Sequence, residues 1–181
     1  MKLYRFSPIE SQEQLIAAIE HTHFACSTLC QKSFGKYLPV AGNIGIFCHY
    51  NNEFEYLKTL RQRITRKSSD PNQKYFELIK PIIIAAKDGV PEATYTHLYI
   101  RRPDIYRSQV GDIDFYLQHR DYSNLKQDLA GGKRLEGARI FPREDLDMIE
   151  LYDPDVDALG YVSTNTMTKK VRVKLSEETK L

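Results

Sequence analysis

The spacing of apolar side chains in the first half of the chain is that of helices with one strand between them. Apolar residues recur every three or four positions over 7–35, which predicts a long helix capped by Ser7 and ended by a glycine. A second stripe over 51–67 predicts another helix, with a basic end. Between them, 43–50 is short, apolar and partly β-branched or aromatic, so we expect a buried strand there.

Two further elements are expected at the edges of these helices. Residues 2–6 are a short strand candidate ahead of the first helix. Asp70-Pro71 repeats the pattern of a cap followed by proline, which predicts a third helix opening at Asp70. Proline interrupts helical hydrogen bonding, so this helix should bend or end at Pro81.

From residue 94 the periodicity becomes that of strands. Two of them, 95–100 and 112–117, are separated by a polar loop and are expected to form a hairpin. A short helix capped by Ser123 should follow and end at two glycines. Further strands are expected at 138–141, 146–152, 159–163 and 171–175.

Helices early and strands late predict an α+β fold. We expect a single domain over 1–175, with a mainly antiparallel sheet from the C-terminal half packed against the N-terminal helices. The polar residues 176–181 are expected to be a frayed tail.

Composition narrows the class of protein. The chain has 181 residues, 41% of them hydrophobic, and 26 basic against 24 acidic side chains. This balance excludes a disordered or collagen-like chain, and a net charge of +2 does not by itself indicate a polyanion partner. Without an apolar run of about 20 residues or a secretory signal, we expect a cytoplasmic protein with no membrane span.

The segment 97–114 carries the densest set of chemically useful side chains. Asp112 and Asp114 stand two residues apart on a predicted strand, so both should project from one face. A carboxylate pair of this kind can hold Mg²⁺ or Mn²⁺, with ligand phosphates completing the coordination. His97 is the candidate general acid or base beside them.

The string Gly111-Asp112-Ile113-Asp114-Phe115 resembles the carboxylate strand of nucleotidyltransferase-fold enzymes, which alternates aspartate with hydrophobic residues. That resemblance implies a metal-dependent nucleotidyl or phosphoryl transfer. It also implies a third acidic residue on a neighbouring strand, for which Asp147 and Glu150 are available. The family's upstream Gly-Ser helix start has no counterpart in 100–110.

The arginines of the same segment could bind an anion directly, since guanidinium groups hold phosphates and carboxylates in bidentate fashion. Together with nearby tyrosines they could form a stacking surface for a nucleotide or single-stranded nucleic acid. Tyrosine and arginine are also typical of protein interfaces, so a contact between copies of the chain fits the same residues. The candidate ligand-binding residues are Arg101, Arg102, Arg107, Gln109 and Tyr99.

The cysteines offer weaker alternatives. His23, Cys26 and Cys30 share a predicted helix face and could begin a zinc site, and Cys48 or Cys30 could pair with His97 as a nucleophile. We expect instead that all three cysteines are reduced and buried.

The sequence therefore favours binding of a phosphate-bearing ligand at the predicted 97–114 hairpin, with metal-dependent transfer as its enzymatic form. The alternative is an interaction or oligomerisation domain in which the charged hairpin is architectural. Asp112 would then cap or turn the hairpin and pair with Arg101 or Arg107, while Asp114 would face solvent.

Overall fold

Seven strands and four helices make up the computed structural model, which describes residues 4–142 and 145–174. In chain order they are α1 (Gln12–Phe34), β1 (Val40–Phe47), α2 (Asn51–Ile64), β2 (Phe76–Ile84), β3 (Ala93–Arg101), β4 (Gly111–Leu117), α3 (His119–Ala130), β5 (Ala138–Pro142), β6 (Asp147–Leu151), β7 (Ala158–Thr164) and α4 (Asn165–Lys170).

All the strands belong to one sheet, with the order β2-β3-β1-β4-β7-β6-β5. The pairs β1–β3 and β4–β7 are parallel, and the other neighbours are antiparallel. The α+β class is confirmed, but the prediction of a mainly antiparallel sheet from the C-terminal half is only partly right. The sheet is mixed, and the first half of the chain contributes both an edge strand and a central one.

The predicted hairpin over 97–114 does not exist, because β1 lies between β3 and β4. Gly45 of β1 is in register with Tyr99 on one side and with Asp112 on the other. Adjacent strand candidates in a sequence often pair with each other, but here the connecting loop crosses an inserted strand. The charged residues of β3 and β4 therefore reach each other across β1.

The connectivity of the sheet repeats. In the first unit, β1-α2-β2-β3, strand β1 is parallel to β3, and β3 is antiparallel to β2. In the second unit, β4-α3-β5-β6-β7, strand β4 is parallel to β7, and β7 is antiparallel to β6. The second unit has one additional edge strand, β5. The two halves meet where β1 pairs with β4. This junction is the centre of the candidate site.

Three helices cover one face of the sheet, and the fourth lies on the other face, which carries the polar groups. α1 packs on the central strands, α2 on β2 and β3, and α3 on β4, β5 and β7. The apolar core of the protein includes Ile44, Ile113 and Val162. Burying such side chains is the main stabilisation of the fold, at roughly 25 cal/mol per Å² of apolar area. α4 lies on the opposite face, against β4, β7 and β1. Within the described residues, no helix combines the length and the apolar character that crossing a membrane requires.

The first helix is confirmed, but its predicted cap is wrong. α1 is capped by Ser11, whose side chain accepts a hydrogen bond from the backbone N–H of Gln14 at 3.2 Å. Ser7 precedes a cis proline and instead shares a hydrogen bond of 2.7 Å with Nδ1 of His49. The side chain of Ser7 is engaged by His49, and Ser11 supplies the cap of the helix instead.

The predicted third helix is wrong. Asp70 forms a turn by accepting hydrogen bonds from Asn72 and Gln73, and the chain then enters β2. Pro81 is tolerated because β2 is an edge strand, where a missing N–H leaves no neighbour unpaired. The β-branched residues 82–84 that follow favour the strand.

The remaining predicted elements fall close to the observed ones, with exceptions near the termini. The strands at 43–50, 95–100, 112–117, 138–141, 146–152 and 159–163 correspond to β1, β3, β4, β5, β6 and β7. The short helix begins at His119 and not at Ser123. Over 165–174 the chain forms α4 and a single bridge from Val173 to Gln73 in place of a strand. Residues 4–6 form no strand, and 1–3 and 175–181 lie outside the described residues, as does the predicted tail.

Candidate functional site

The polar face of the sheet is centred on two buried carboxyl groups of β4. Asp112 and Asp114 have exposed fractions of 8% and 2%, so the solvent-facing Asp114 of the architectural alternative is wrong. Their spacing places both side chains on the face opposite α1, as the strand period requires. Burial of two acidic groups on one face is costly unless hydrogen bonds and cations compensate them.

Asp112 occupies space that a glycine leaves open. A Cβ at Gly45, its partner on β1, would overlap Oδ1 of Asp112. The Tyr75 hydroxyl donates a hydrogen bond to the same carboxyl oxygen at 3.4 Å. Gly45 therefore lets the Asp112 carboxyl fold down against the sheet.

Asp114 is held by an amide that is itself fully engaged. Asn43 donates through Nδ2 to Oδ2 of Asp114 at 2.7 Å and to the backbone oxygen of Thr168 at 2.6 Å. Its Oδ1 accepts a hydrogen bond from Nε of Arg172 at 2.8 Å. This network ties β1, β4 and α4 together around the carboxyl group.

The environment raises the proton affinity of both carboxyl groups. Burial raises the pKa of both aspartates, and the charge of Asp112 adds to this for Asp114, whose pKa rises to about 7. The positive charge of Lys74 lowers both pKa values in part, with a contribution from Arg101 at Asp112 and from Arg172 at Asp114. Both carboxyl groups therefore hold their protons more tightly than an exposed aspartate does.

Tyrosines surround the carboxyl pair. The rings of Tyr75 and Tyr99 lie 5.3 Å apart, and Lys74 Nζ sits 4.9 Å from the centre of the Tyr99 ring. Tyr161, in register with Asp114, donates its hydroxyl to Oε2 of Glu150 at 3.1 Å. Burial raises the pKa of all three hydroxyls, so they remain protonated hydrogen-bond donors.

The predicted cations divide between the polar face and the helix side. Arg101 lies over the Phe47 ring and pairs with Asp104 at 2.8 Å, close enough to Asp112 to lower the pKa of that carboxyl. Arg107 acts on the same carboxyl. Arg102 is turned away, with its guanidinium 4.5 Å from the centre of a phenylalanine ring in α2.

Two further predicted site residues, His97 and Gln109, are partly buried. His97 is in register with Asn43, and burial followed by the charge of Arg172 lowers the pKa of His97 to about 4. Its imidazole is therefore neutral at pH 7, with Nδ1 at 2.9 Å from the Thr96 hydroxyl. The carboxamide oxygen of Gln109 is buried with no hydrogen-bond partner in the described part of the chain.

Sequence reasoning missed several residues that complete this face. Tyr75 fell in the wrongly predicted helix, and Asn43 was assigned only to a buried strand. The sequence pattern around Arg172 did not indicate that this side chain contacts β1. Glu150, already a candidate acidic residue in the sequence, accepts the hydrogen bond of Tyr161. The added residues are Asn43, Lys74, Tyr75, Tyr161 and Arg172.

The cysteine alternatives receive no support. Cys26, Cys30 and Cys48 are free and buried, and burial raises the pKa of each thiol, to about 11 for Cys30. His23 shares a hydrogen bond with Tyr95, and Cys26 donates to a backbone oxygen. Over residues 4–142 and 145–174, no group of three or more histidine, cysteine or acidic side chains could hold a metal ion. A zinc site on α1 is therefore excluded within these residues.

The carboxyl pair lies apart from two recesses in the described surface. Two surface recesses lie beside α3: one reaches β5, and the other lies between the start of α3 and the start of α4. Neither is lined by Asp112 or Asp114. Tyr75 and Arg172 cover the pair instead, so a ligand would have to displace part of this cover.

Comparison with known proteins supports the fold. No family model and no curated protein matches the sequence. A solved structure described as Structural Genomics, Protein EC4020, is similar with a TM-score of 0.56 and 13% identity, over 95% of this chain and 97% of that one. Similarity at this identity establishes a shared fold and no activity.

Weaker similarity extends to an enzyme. A Streptomyces coelicolor methylmalonyl-CoA epimerase in complex with 2-nitronate-propionyl-CoA is 16% identical over 70% of this chain and 98% of that one, with a TM-score of 0.31. A methylmalonyl-CoA epimerase in complex with methylmalonyl-CoA and NH₄⁺ gives 16% identity and a TM-score of 0.29. These values assign neither an activity nor a ligand to this chain, which the comparisons place only in a shared fold with the first structure.

Proposed function

We propose that the polar face of the sheet binds a small anionic molecule and carries out proton transfer on it. The observation that supports this most directly is the buried pair Asp112 and Asp114, which lies beneath tyrosine hydroxyls and cationic side chains. Such an arrangement costs folding free energy, and clusters of shifted ionisable groups are typical of functional sites.

The carboxyl pair suits acid–base chemistry at neutral pH. With the pKa of Asp114 at about 7, ionised and protonated forms coexist. The ionised form would accept a proton from one ligand atom, and the protonated form would deliver a proton to another. Neutral His97, which the sequence suggested for acid–base work, would serve here as a proton acceptor or a hydrogen-bond partner.

The surrounding cations define the ligand class. Four cationic side chains lie near enough to the carboxyl pair to offset part of the rise in its pKa values: Lys74, Arg101, Arg107 and Arg172. A carboxylate or phosphate group of the ligand would meet these side chains in a site shielded from water, where charge-assisted hydrogen bonds are strong. Nucleotides remain within this class through their phosphates, although the comparisons lend them no support.

A metal-dependent form is the second candidate, favoured by the presence of two carboxylates on one face. Asp112 and Asp114 would bind Mg²⁺ or Mn²⁺ together with ligand oxygens, since such ions are often held by only two protein carboxylates. In this form the ion supplies charge neutralisation for an anionic ligand, and the carboxylates stay ionised.

Calorimetric titration separates these forms. The protein is titrated at pH 7 with small carboxylates, phosphates and nucleotides, with and without Mg²⁺ or Mn²⁺, in two buffers of different ionisation enthalpy. Binding without metal that takes up or releases protons supports proton transfer. Binding only with metal supports the second form.

The matched variants are Asp112→Asn with Asp114→Asn, and exposed Asp155→Asn as the control. The double variant should lose binding and remain at least as stable, because adjacent buried charges are removed. If no compound binds and the double variant melts well below the parent, the pair is architectural and the proposal is wrong.

A further inference from the structure

Two chain segments close over the carboxyl pair from opposite ends of the sequence. Residues 72–75 and 172–174, here called the strap, are joined by an antiparallel bridge between Gln73 and Val173. The Arg172 oxygen accepts hydrogen bonds from the backbone N–H groups of Lys74 and Tyr75 at 2.9 and 3.0 Å. A bond of 2.7 Å from the N–H of 174 to the oxygen of 72 completes the pairing.

Each half of the strap touches one of the buried carboxyl groups or its partner. Tyr75, only 3% exposed, donates its hydroxyl to Asp112. Arg172 donates to Asn43, which in turn holds Asp114. The strap is thus the layer that separates the pair from solvent at this end of the face.

The strap is more weakly held than the sheet beneath it. Apart from the side-chain contacts just described, its pairing rests on a few backbone hydrogen bonds. Among the described residues, the apolar cluster below it has three buried members, with partly buried side chains around them: Tyr75, Met148 and Val171. The segment 66–72 that leads into it is exposed throughout. Segments with few buried contacts open locally at much lower free energy than the whole domain.

We propose that the strap opens to admit the ligand and closes over it, drawn by the ligand's negative charge. This rests on the function proposed above, since it names the gate of the same site. Lys74 and Arg172 belong to the strap, so closure brings two positive charges onto the polar face. An anion bound there favours the closed state because its interaction with these charges is stronger in that state.

A disulfide lock tests the gate without any ligand. Gln73→Cys with Val173→Cys places two thiols on bridged residues, whose Cα separation in an antiparallel pair suits a disulfide. The native thiols are buried and have raised pKa values, so they should not compete. Lys87→Cys with Val90→Cys, at a bridge in the β2–β3 turn, is the matched control.

Access is read by carbodiimide coupling of glycinamide to the carboxyl groups at pH 6, with mass spectrometry of the peptide that carries Asp112 and Asp114. The oxidised lock should label at least about tenfold more slowly than the same protein after reduction, because local opening is then blocked. Oxidation of the control pair should not change the rate.

Equal labelling of the oxidised and reduced lock would overturn the gate, as would the absence of labelling in both states. The outcome is independent of the ligand titration. If the lock slows labelling but the protein binds no anion, the gate is supported and the proposed function is wrong. An anion that binds equally well when the strap is locked by the disulfide leaves the proposed function standing and removes the gate.

Discussion

Replacement of Asp114 by asparagine should change how stability depends on pH. The pKa of the carboxyl is raised from an ordinary 3.8 to about 7, so the folded protein binds this proton more tightly than the unfolded chain. Stability from this group is therefore present at low pH and is lost as pH rises towards 7. Asparagine resembles the protonated acid and can still accept the hydrogen bond from Asn43.

The expected size follows from the shift. A difference between 3.8 and about 7 corresponds to about 4 kcal/mol over the full titration. Between pH 5 and pH 8 the part that is lost amounts to about 2–3 kcal/mol. Asp114→Asn should therefore gain stability relative to the parent by roughly this amount as pH rises across that range.

Urea unfolding of both proteins at pH 5, 6, 7 and 8 measures this difference. Asp155→Asn is the control, because the side chain of Asp155 is exposed. The stability of this variant relative to the parent should not vary with pH in this way. His23 and His97, whose pKa values are lowered to about 4, titrate in every variant, so their contributions cancel in the comparison. A constant difference between Asp114→Asn and the parent from pH 5 to pH 8 would refute the raised pKa.

Three other outcomes test the local structure. Gly45→Ala should cost about 1–3 kcal/mol of unfolding free energy through overlap with Asp112, and most of that cost should disappear in combination with Asp112→Ala, as a double-mutant cycle by urea unfolding will show. Ser11→Ala should cost about 1 kcal/mol by removing the cap of α1, whereas an unchanged melting curve would assign the cap elsewhere. Thiol titration of the native protein should show slow labelling of Cys26, Cys30 and Cys48. Fast labelling of any of these cysteines would contradict their burial.

The sequence alone predicted the elements whose formation depends on local patterns. The helical stripes of α1 and α2 and the apolar segments of β1 and β4 were located to within a few residues, except at the first turn of α1. The two-residue period of a strand is also sufficient to place Asp112 and Asp114 on one face. These features follow from neighbours a few positions apart, so no distant contact is needed to establish them.

The tertiary structure decided everything that depends on distant neighbours. It inserted β1 between β3 and β4, turned 76–84 into an edge strand, and brought the two ends of the strap together. Burial and the neighbouring charge of Asp112 raise the pKa of Asp114, while Tyr75 and Arg172, which contact the pair and its partner Asn43, lie far from β4 in the sequence. Proton affinity in a protein depends on dielectric and charge in three dimensions, and a one-dimensional pattern of residues does not contain that information.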